Sequence, residues 1–237
     1  DACLAVSEPA ATFAQDYYGL SCKVIPNAFD YRHFYRKSIS DSVAQNLRDP
    51  VRVVFLGRLV PRKGCKELLE AITYLIDHHL YDRTFSVTIG GKGPYRSELE
   101  RYVADHGETA SVRFVGFLAD KDKADFLSQA DIAVFPSVGG ESFGISLLEA
   151  LAAARGVVLA GDNPGYRSVM RGFESQLFDP RNTQQFAQTL AHFMREHSTR
   201  RTIAAAQKAY VAQYDINRVG QEIEMVYKKA VEKRKTA

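Results

Sequence analysis

Val51-Arg52-Val53-Val54-Phe55-Leu56-Gly57-Arg58, continued by Leu59-Val60-Pro61-Arg62-Lys63-Gly64, decides the fold. Four consecutive apolar residues, 53–56, mark a strand buried on both faces, and such strands belong to parallel sheets covered by helices. Gly57 and Arg58 end the strand. From Cys65 onward the apolar positions Cys65, Leu68, Leu69, Ile72, Leu75 and Ile76 recur at helical spacing, so 64–79 reads as a helix. The same strand–turn–helix unit then repeats. Phe85–Ile89 is a strand and Pro94–His106 a helix, entered through Gly90-Gly91-Lys92-Gly93; Val112–Val115 is a strand and about 119–129 a helix. Asp131–Phe135 is a strand, Gly144–Ala154 a helix, Gly156–Ala160 a strand, and a last short strand lies near Gln176–Phe178. This alternation predicts an α/β protein built on a doubly wound parallel sheet.

After Asp179-Pro180 the chain reads as wholly helical, over 182–197, about 199–213 and about 216–233, a helical C-terminal tail of the kind that packs across a sheet edge or back onto a neighbouring domain. Before Val51 the pattern differs. Ala2–Val6 reads as a strand, Glu8–Tyr18 as a helix and Lys23–Ile25 as a strand ended by Pro26-Asn27, while 31–50 is polar and irregular. The expected organisation is therefore 1–30 as the remnant of another domain and its junction, 31–50 as a linker, and 51–237 as the main domain. The chain opens on Asp1 with an apolar segment at once, which suggests further residues upstream.

Composition narrows the function. Of 237 residues, 25% are charged and the net charge is +3, too mild a balance for a nucleic-acid partner, which needs a concentrated basic face. The one basic cluster, Lys228, Lys229, Lys233, Arg234 and Lys235, reads first as a solvated helix end and second as a weak attraction to anionic lipid. Cys3, Cys22 and Cys65 are scattered without metal-ligand spacing and are expected as separate thiols in a reducing compartment. No apolar run approaches the ~18 residues of a membrane span, and no signal peptide is recognisable, so the expected location is cytoplasmic.

In open parallel sheets ligands bind outside the carboxyl ends of the strands, and the chemistry-bearing residues here follow strands. Gly57-Arg58 follows the first, and Arg62-Lys63-Gly64 opens the next helix. Two glycines and these cations suit a diphosphate: glycine lets backbone approach, Arg58 and Lys63 offer charge-assisted hydrogen bonds, and the helix terminus adds partial positive charge. Alone, the loop reads equally as solvated basic residues. The second element is Gly139-Gly140-Glu141-Ser142-Phe143-Gly144-Ile145, running into a helix that carries Glu149. Glu141 and Glu149 are eight residues apart, at most about 12 Å of helical rise, comparable to the span from a nucleotide's ribose to a sugar on its diphosphate. The backbone N–H groups of Ser142, Phe143, Gly144 and Ile145 would face the phosphates between them. Taken singly, Glu141 could be a helix cap and Glu149 a polar helix residue. Yet Glu149 sits among Leu147, Leu148 and Leu151, and a buried carboxylate needs a partner. Gly90-Gly91-Lys92-Gly93-Pro94 reads first as a tight turn. No metal spacing, nucleophile elbow, GxxxxGK[ST] loop or GxGxxG fingerprint after the first strand is present, and a nicotinamide enzyme is disfavoured.

Together these residues resemble the C-terminal, donor-binding domain of retaining glycosyltransferases with the GT-B architecture. The resemblance runs from about Val6 to Tyr227 on Val6-Ser7-Glu8, Val24-Ile25-Pro26-Asn27, Phe55-Leu56-Gly57-Arg58, Arg62-Lys63-Gly64, Ile89–Pro94, Val112–Phe117, Ala130-Asp131 and Glu141–Glu149. The wording PRKG with GGESFGI is similar to bacterial phosphatidylinositol mannosyltransferases. The resemblance implies a nucleotide-sugar donor, GDP-mannose first and UDP-sugars second, used without a metal or other cofactor. Partners would be an acceptor-holding N-terminal domain absent here and a lipid acceptor at the inner membrane face. It places Arg58 and Lys63 on the diphosphate and Glu141 at the transferred sugar as catalytic residues. Gly57, Ser142, Phe143, Gly144 and Ile145 would line the donor, Glu149 would take the ribose hydroxyls, and Leu118 and Lys123 would lie at the base. Three departures stand out: Asn27-Ala28 where the family reads N-G, Ala152-Ala153-Ala154-Arg155-Gly156-Val157 where it reads Ala-x-Gly-x-Pro, and Arg167-Ser168 where a Glu is usual.

Overall fold

The computed structural model describes residues 2–36, 50–108 and 111–235, with side chains as far as residue 232 in the last segment. Six parallel strands form the main sheet: β3 (Val51–Leu56), β4 (Phe85–Gly90), β5 (Val112–Gly116), β6 (Ile132–Phe135), β7 (Val157–Gly161) and β8 (Leu177–Phe178). Two earlier strands, β1 (Leu4–Ala5) and β2 (Lys23–Val24), pair with each other in a separate parallel sheet. The main order is β5-β4-β3-β6-β7-β8, so the winding reverses between β3 and β6, where Val53 pairs with Ile132 and Phe55 with Val134. That reversal opens a crevice at the carboxyl ends of these two strands.

Alternation along each strand divides the apolar runs between two cores. Val53, Phe55, Ile89, Val134 and Leu159 face α3 (Cys65–Asp77), α4 (Arg96–Asp105) and α8 (Thr183–Arg195). Val54, Leu56, Phe135, Val158 and Ala160 face the opposite layer, with α5 (Asp120–Ser128), α6 (Ile145–Ala153) and α9 (His197–Val211). The helix over 64–79 is confirmed with a shorter extent; Cys65, Leu68, Leu69, Ile72 and Leu75 are buried, whereas Ile76 is exposed at the rim of the stripe. α9 packs across β7 as the tail was expected to do. There the buried Gln207 amide donates to the Val158 carbonyl and accepts from its N–H, both at 3.0 Å, in place of a neighbouring strand. α10 (Ile216–Lys235) closes the chain, and Lys228 of the basic cluster pairs with Glu224 at 2.7 Å. Among the described residues no helix is long and apolar enough to cross a membrane.

Three differences from the sequence reading have local causes. Cys3 and Cys22 form a disulfide, because the parallel pairing of β1 with β2 brings the residues preceding each strand together with Cα atoms 4.5 Å apart; only Cys65 is a free, buried thiol. The expectation of three separate thiols, and the reducing compartment argued from it, loses its basis. Residues 31–36, read as irregular linker, include the helical turn α2 (Tyr31–Phe34); Phe34 is buried against the α6 layer, and Arg36 donates to Asp125. The rest of that linker, 37–49, lies outside the described residues. A short helix, α7 (Pro164–Val169), also stands where none was expected, capped by the Asn163 side chain, which accepts from Tyr166 N–H.

Candidate active site

The loops after β3 and β6 meet at the crevice in close backbone contact. Gly64, at φ +73°, caps α3, and a Cβ there would lie 1.8 Å from the Pro136 carbonyl oxygen, so only glycine lets the two loops touch. The glycine faces protein rather than a ligand, contrary to what its loop suggested. Val138 N–H donates to the Arg62 carbonyl at 3.0 Å and locks the junction, with Ser137 Oγ 2.9 Å from the same oxygen.

Glu141 sits over this junction with its side chain almost wholly buried. Its Oε1 accepts from Lys63 Nζ at 2.7 Å, Ser137 Oγ at 2.8 Å and Arg62 Nη1 at 3.0 Å. All three of these bonds fall on Oε1. The Gly165 backbone and the buried Tyr166 ring of α7 back the Glu141 segment. Arg58 projects from the same β3 loop, exposed, and its guanidinium makes no ion pair or hydrogen bond among the described residues. Two cations thus meet one carboxylate, with Arg58 exposed on the same loop, a concentration of positive charge suited to a diphosphate. Gly57 lies beneath, its carbonyl tight against Gly91; the GGKG turn is packed protein, with Lys92 over the Phe117 ring at 4.5 Å.

α6 begins in this crevice. Its cap, Gly144 at φ +127°, lends no side chain to the first turn; Leu147 N–H donates to the Gly144 carbonyl at 3.0 Å, which leaves the N–H groups of Ile145 and Ser146 for an anion. Ile145 and Ser142 are exposed there, while the Phe143 ring is buried edge-on against Tyr214, so Phe143 can offer a ligand its backbone only. Further along α6, Glu149 is buried, and its Oε2 has no hydrogen-bond partner among the described residues. Lys123 Nζ stands 3.9 Å from Oε1 and instead holds Asp120 at 2.7 Å. Burial pushes the Glu149 carboxyl above its usual range, opposed by the nearby Lys123 charge. His33 of α2 also reaches this carboxylate electrostatically, and Leu118 packs over Gly90 at the same edge of the sheet.

Of the sequence-selected residues, Lys63 and Glu141 meet at the loop junction, with Arg58 exposed on the same β3 loop, and Lys123 of α5 faces Glu149 of α6, with Leu118 just before α5 packed over Gly90. Sequence reasoning quoted Arg62 without giving it a role, and it missed Ser137 and His33. Arg62 was legible as the neighbour of Lys63; His33 was hidden in the segment taken for linker. At the departures from the family pattern, Arg155 serves the floor of the sheet by pairing with buried Asp131, and Arg167 pairs with Asp162 on the surface.

Comparison with known proteins decides the family. Residues 38–210 match the model for glycosyl transferases group 1. The chain belongs to this family. It is 32% identical over 230 residues to a phosphatidyl-myo-inositol mannosyltransferase of Mycobacterium tuberculosis, covering 94% of this chain and 58% of that protein. The chain thus spans little more than half the length of that relative. Among solved structures it matches HepE from Anabaena in complex with UDP and glucose (TM-score 0.80, 22% identity, 96% of this chain and 62% of that one), a likeness of fold. It also matches the C-terminal domain of a glycosyl transferase group 1 protein from Francisella tularensis (TM-score 0.65, 25% identity), covering 79% of this chain and 99% of that domain. The group 1 chain described here is α/β with the GT-B type of sheet and a helical tail.

Proposed function

We propose that this chain is the donor-binding half of a retaining, metal-independent hexosyltransferase. The observation that carries the reading is the convergence of Lys63 and Arg62 on Glu141, from the loop that also exposes Arg58, at the crossover where the uncapped start of α6 faces the crevice. The donor is a nucleotide diphosphate sugar. Its diphosphate lies between Arg58, Lys63 and the α6 N–H groups, its hexose meets Glu141, and its ribose hydroxyls donate to Glu149. Leu118 and Lys123 border the base.

In transfer, the bond from the sugar's anomeric carbon to the β-phosphate oxygen breaks, and that phosphate leaves with added negative charge. Arg58, Lys63 and the helix terminus stabilise the charge in the role a divalent ion fills elsewhere. The acceptor oxygen attacks on the face the nucleotide leaves, and the phosphate takes its proton, so no protein nucleophile is required. GDP-mannose is the leading donor, supported by the mannosyltransferase relative. UDP-sugars are the second reading, supported by the Anabaena complex.

The acceptor, a lipid or glycan, is held by an N-terminal half to which residues 1–30 belong. The isolated two-stranded sheet supports this, as does a first helix, α1 (Glu8–Tyr18), that buries none of its residues and exposes Phe13, Tyr17 and Tyr18. A lipid acceptor would bring the whole protein to the inner membrane face from the cytoplasm. Calorimetric titration of the chain with GDP, UDP and ADP, with and without EDTA, tests the reading. We expect GDP or UDP to bind at least about tenfold tighter than ADP, a difference of ~1.4 kcal/mol, with EDTA without effect. Failure of all three nucleotides removes the donor site; binding lost in EDTA and restored by magnesium removes the metal-free mechanism.

A further inference from the structure

Ser7 lies in the small N-terminal sheet unit, outside the crevice-forming elements, yet its hydroxyl reaches the crevice. The residue is almost fully buried and caps α1: extended backbone places Oγ to accept from Ala10 N–H at 3.2 Å. Capping uses only the oxygen's acceptor capacity and leaves the hydroxyl proton free. That proton is donated to the carbonyl of Ser142, 135 residues away and next to Glu141.

The loop it grips needs anchors. Gly139, Gly140 and Gly144 all have positive φ, so the backbone around Glu141 has little intrinsic preference for one path. On the β6 side the loop is held at Ser137, whose hydroxyl meets Arg62 and whose carbonyl accepts from Asn163 Nδ2 at 3.1 Å. On the α6 side, the Ser7 hydroxyl is the donor to the Ser142 carbonyl. We propose that Ser7 is a positioning residue: it fixes the loop between Glu141 and the head of α6, and so couples the placement of the N-terminal unit to the geometry offered to the sugar and diphosphate.

This rests on the donor reading above, and the test separates the two. Ser7→Gly removes the hydroxyl at little cost to the cap, since glycine caps helices almost as well as serine; Ser7→Thr keeps both donor and acceptor. Each variant of the whole chain is titrated with GDP-mannose and UDP-glucose, and with GMP and UMP, beside a melting curve. Loss of one hydrogen bond predicts about three- to tenfold weaker nucleotide-sugar binding in Ser7→Gly. Monophosphate binding, set at the Glu149 end, should stay within about twofold by the same reasoning, and Ser7→Thr should bind as the parent does. If the parent binds and Ser7→Gly is unchanged, or loses sugar and monophosphate ligands alike, or is matched by a Ser7→Thr variant that melts with the parent, the positioning role is wrong. A parent that binds neither nucleotide sugar overturns the donor reading and this role with it.

Discussion

Arg58→Ala is expected to slow hexose transfer at least about a hundredfold in a protein that also contains the acceptor half, without a measurable change in melting temperature. Loss of one charge-stabilising donor in a transition state typically costs about 3 kcal/mol, and each 1.36 kcal/mol is a factor of about ten in rate. The structural side of the prediction comes from exposure. Arg58 is exposed and its guanidinium makes no ion pair or hydrogen bond among the described residues, so its removal takes little from the fold. Its neighbours behave differently: Lys63 and Arg62 both hold Glu141, and their removal would disturb the loop junction as well as the phosphate. Turnover within threefold of the parent would deny Arg58 its role at the leaving group.

Glu149→Gln should act in opposite directions on ligand and fold. The carboxylate is buried with Oε2 unpartnered among the described residues and Lys123 beyond hydrogen-bond distance, so the ionised form is costly in the free protein. Its folded pKa lies above the ordinary 4.5, raised by desolvation. Below the unfolded value both states are protonated and no cost arises. As pH rises from there toward the folded value, folding must increasingly draw a proton onto the carboxyl, and above the folded value, where the charge itself is buried, the cost is complete. The glutamine variant should therefore melt a few degrees higher than the parent near neutral pH, with the gain fading toward acid. Its nucleotide affinity should fall about tenfold or more, because ribose hydroxyls lose a charged acceptor. Parent affinity should likewise weaken as pH drops through the carboxyl's raised pKa. A variant that melts below its parent at neutral pH, or binds nucleotide as well, would contradict the assignment.

The sheet and most of its helices were legible because double burial writes itself as runs such as Val53–Leu56, and one-sided helices as the stripe from Cys65 to Leu75. What escaped was short or depended on contacts distant in sequence. α7 has only six residues, too few for a periodicity, although Asn163-Pro164 carried its start signal of a capping side chain and a proline in the first turn. α2 is four residues whose order comes from Phe34 docking on α6, which a polar composition does not announce. The disulfide was invisible because nothing in a spacing of nineteen residues tells that two short strands will pair in parallel. At the site, Glu149 was found by its conflict with an apolar surrounding, the kind of local inconsistency that functional residues carry. Ser137 was recognisable only once β3 and β6 were known to be neighbours.

The claim on which the account stands is that one diphosphate fits between the β3 loop and the head of α6, with a carboxylate at each end. A crystal structure of the chain with GDP-mannose or UDP-glucose, whichever binds, tests it most directly. The account predicts phosphate oxygens within hydrogen-bond reach of Arg58, Lys63 and the first N–H groups of α6, with the hexose at Glu141 and the ribose at Glu149. A nucleotide seated elsewhere, or a bound diphosphate that leaves either glutamate untouched, would contradict it.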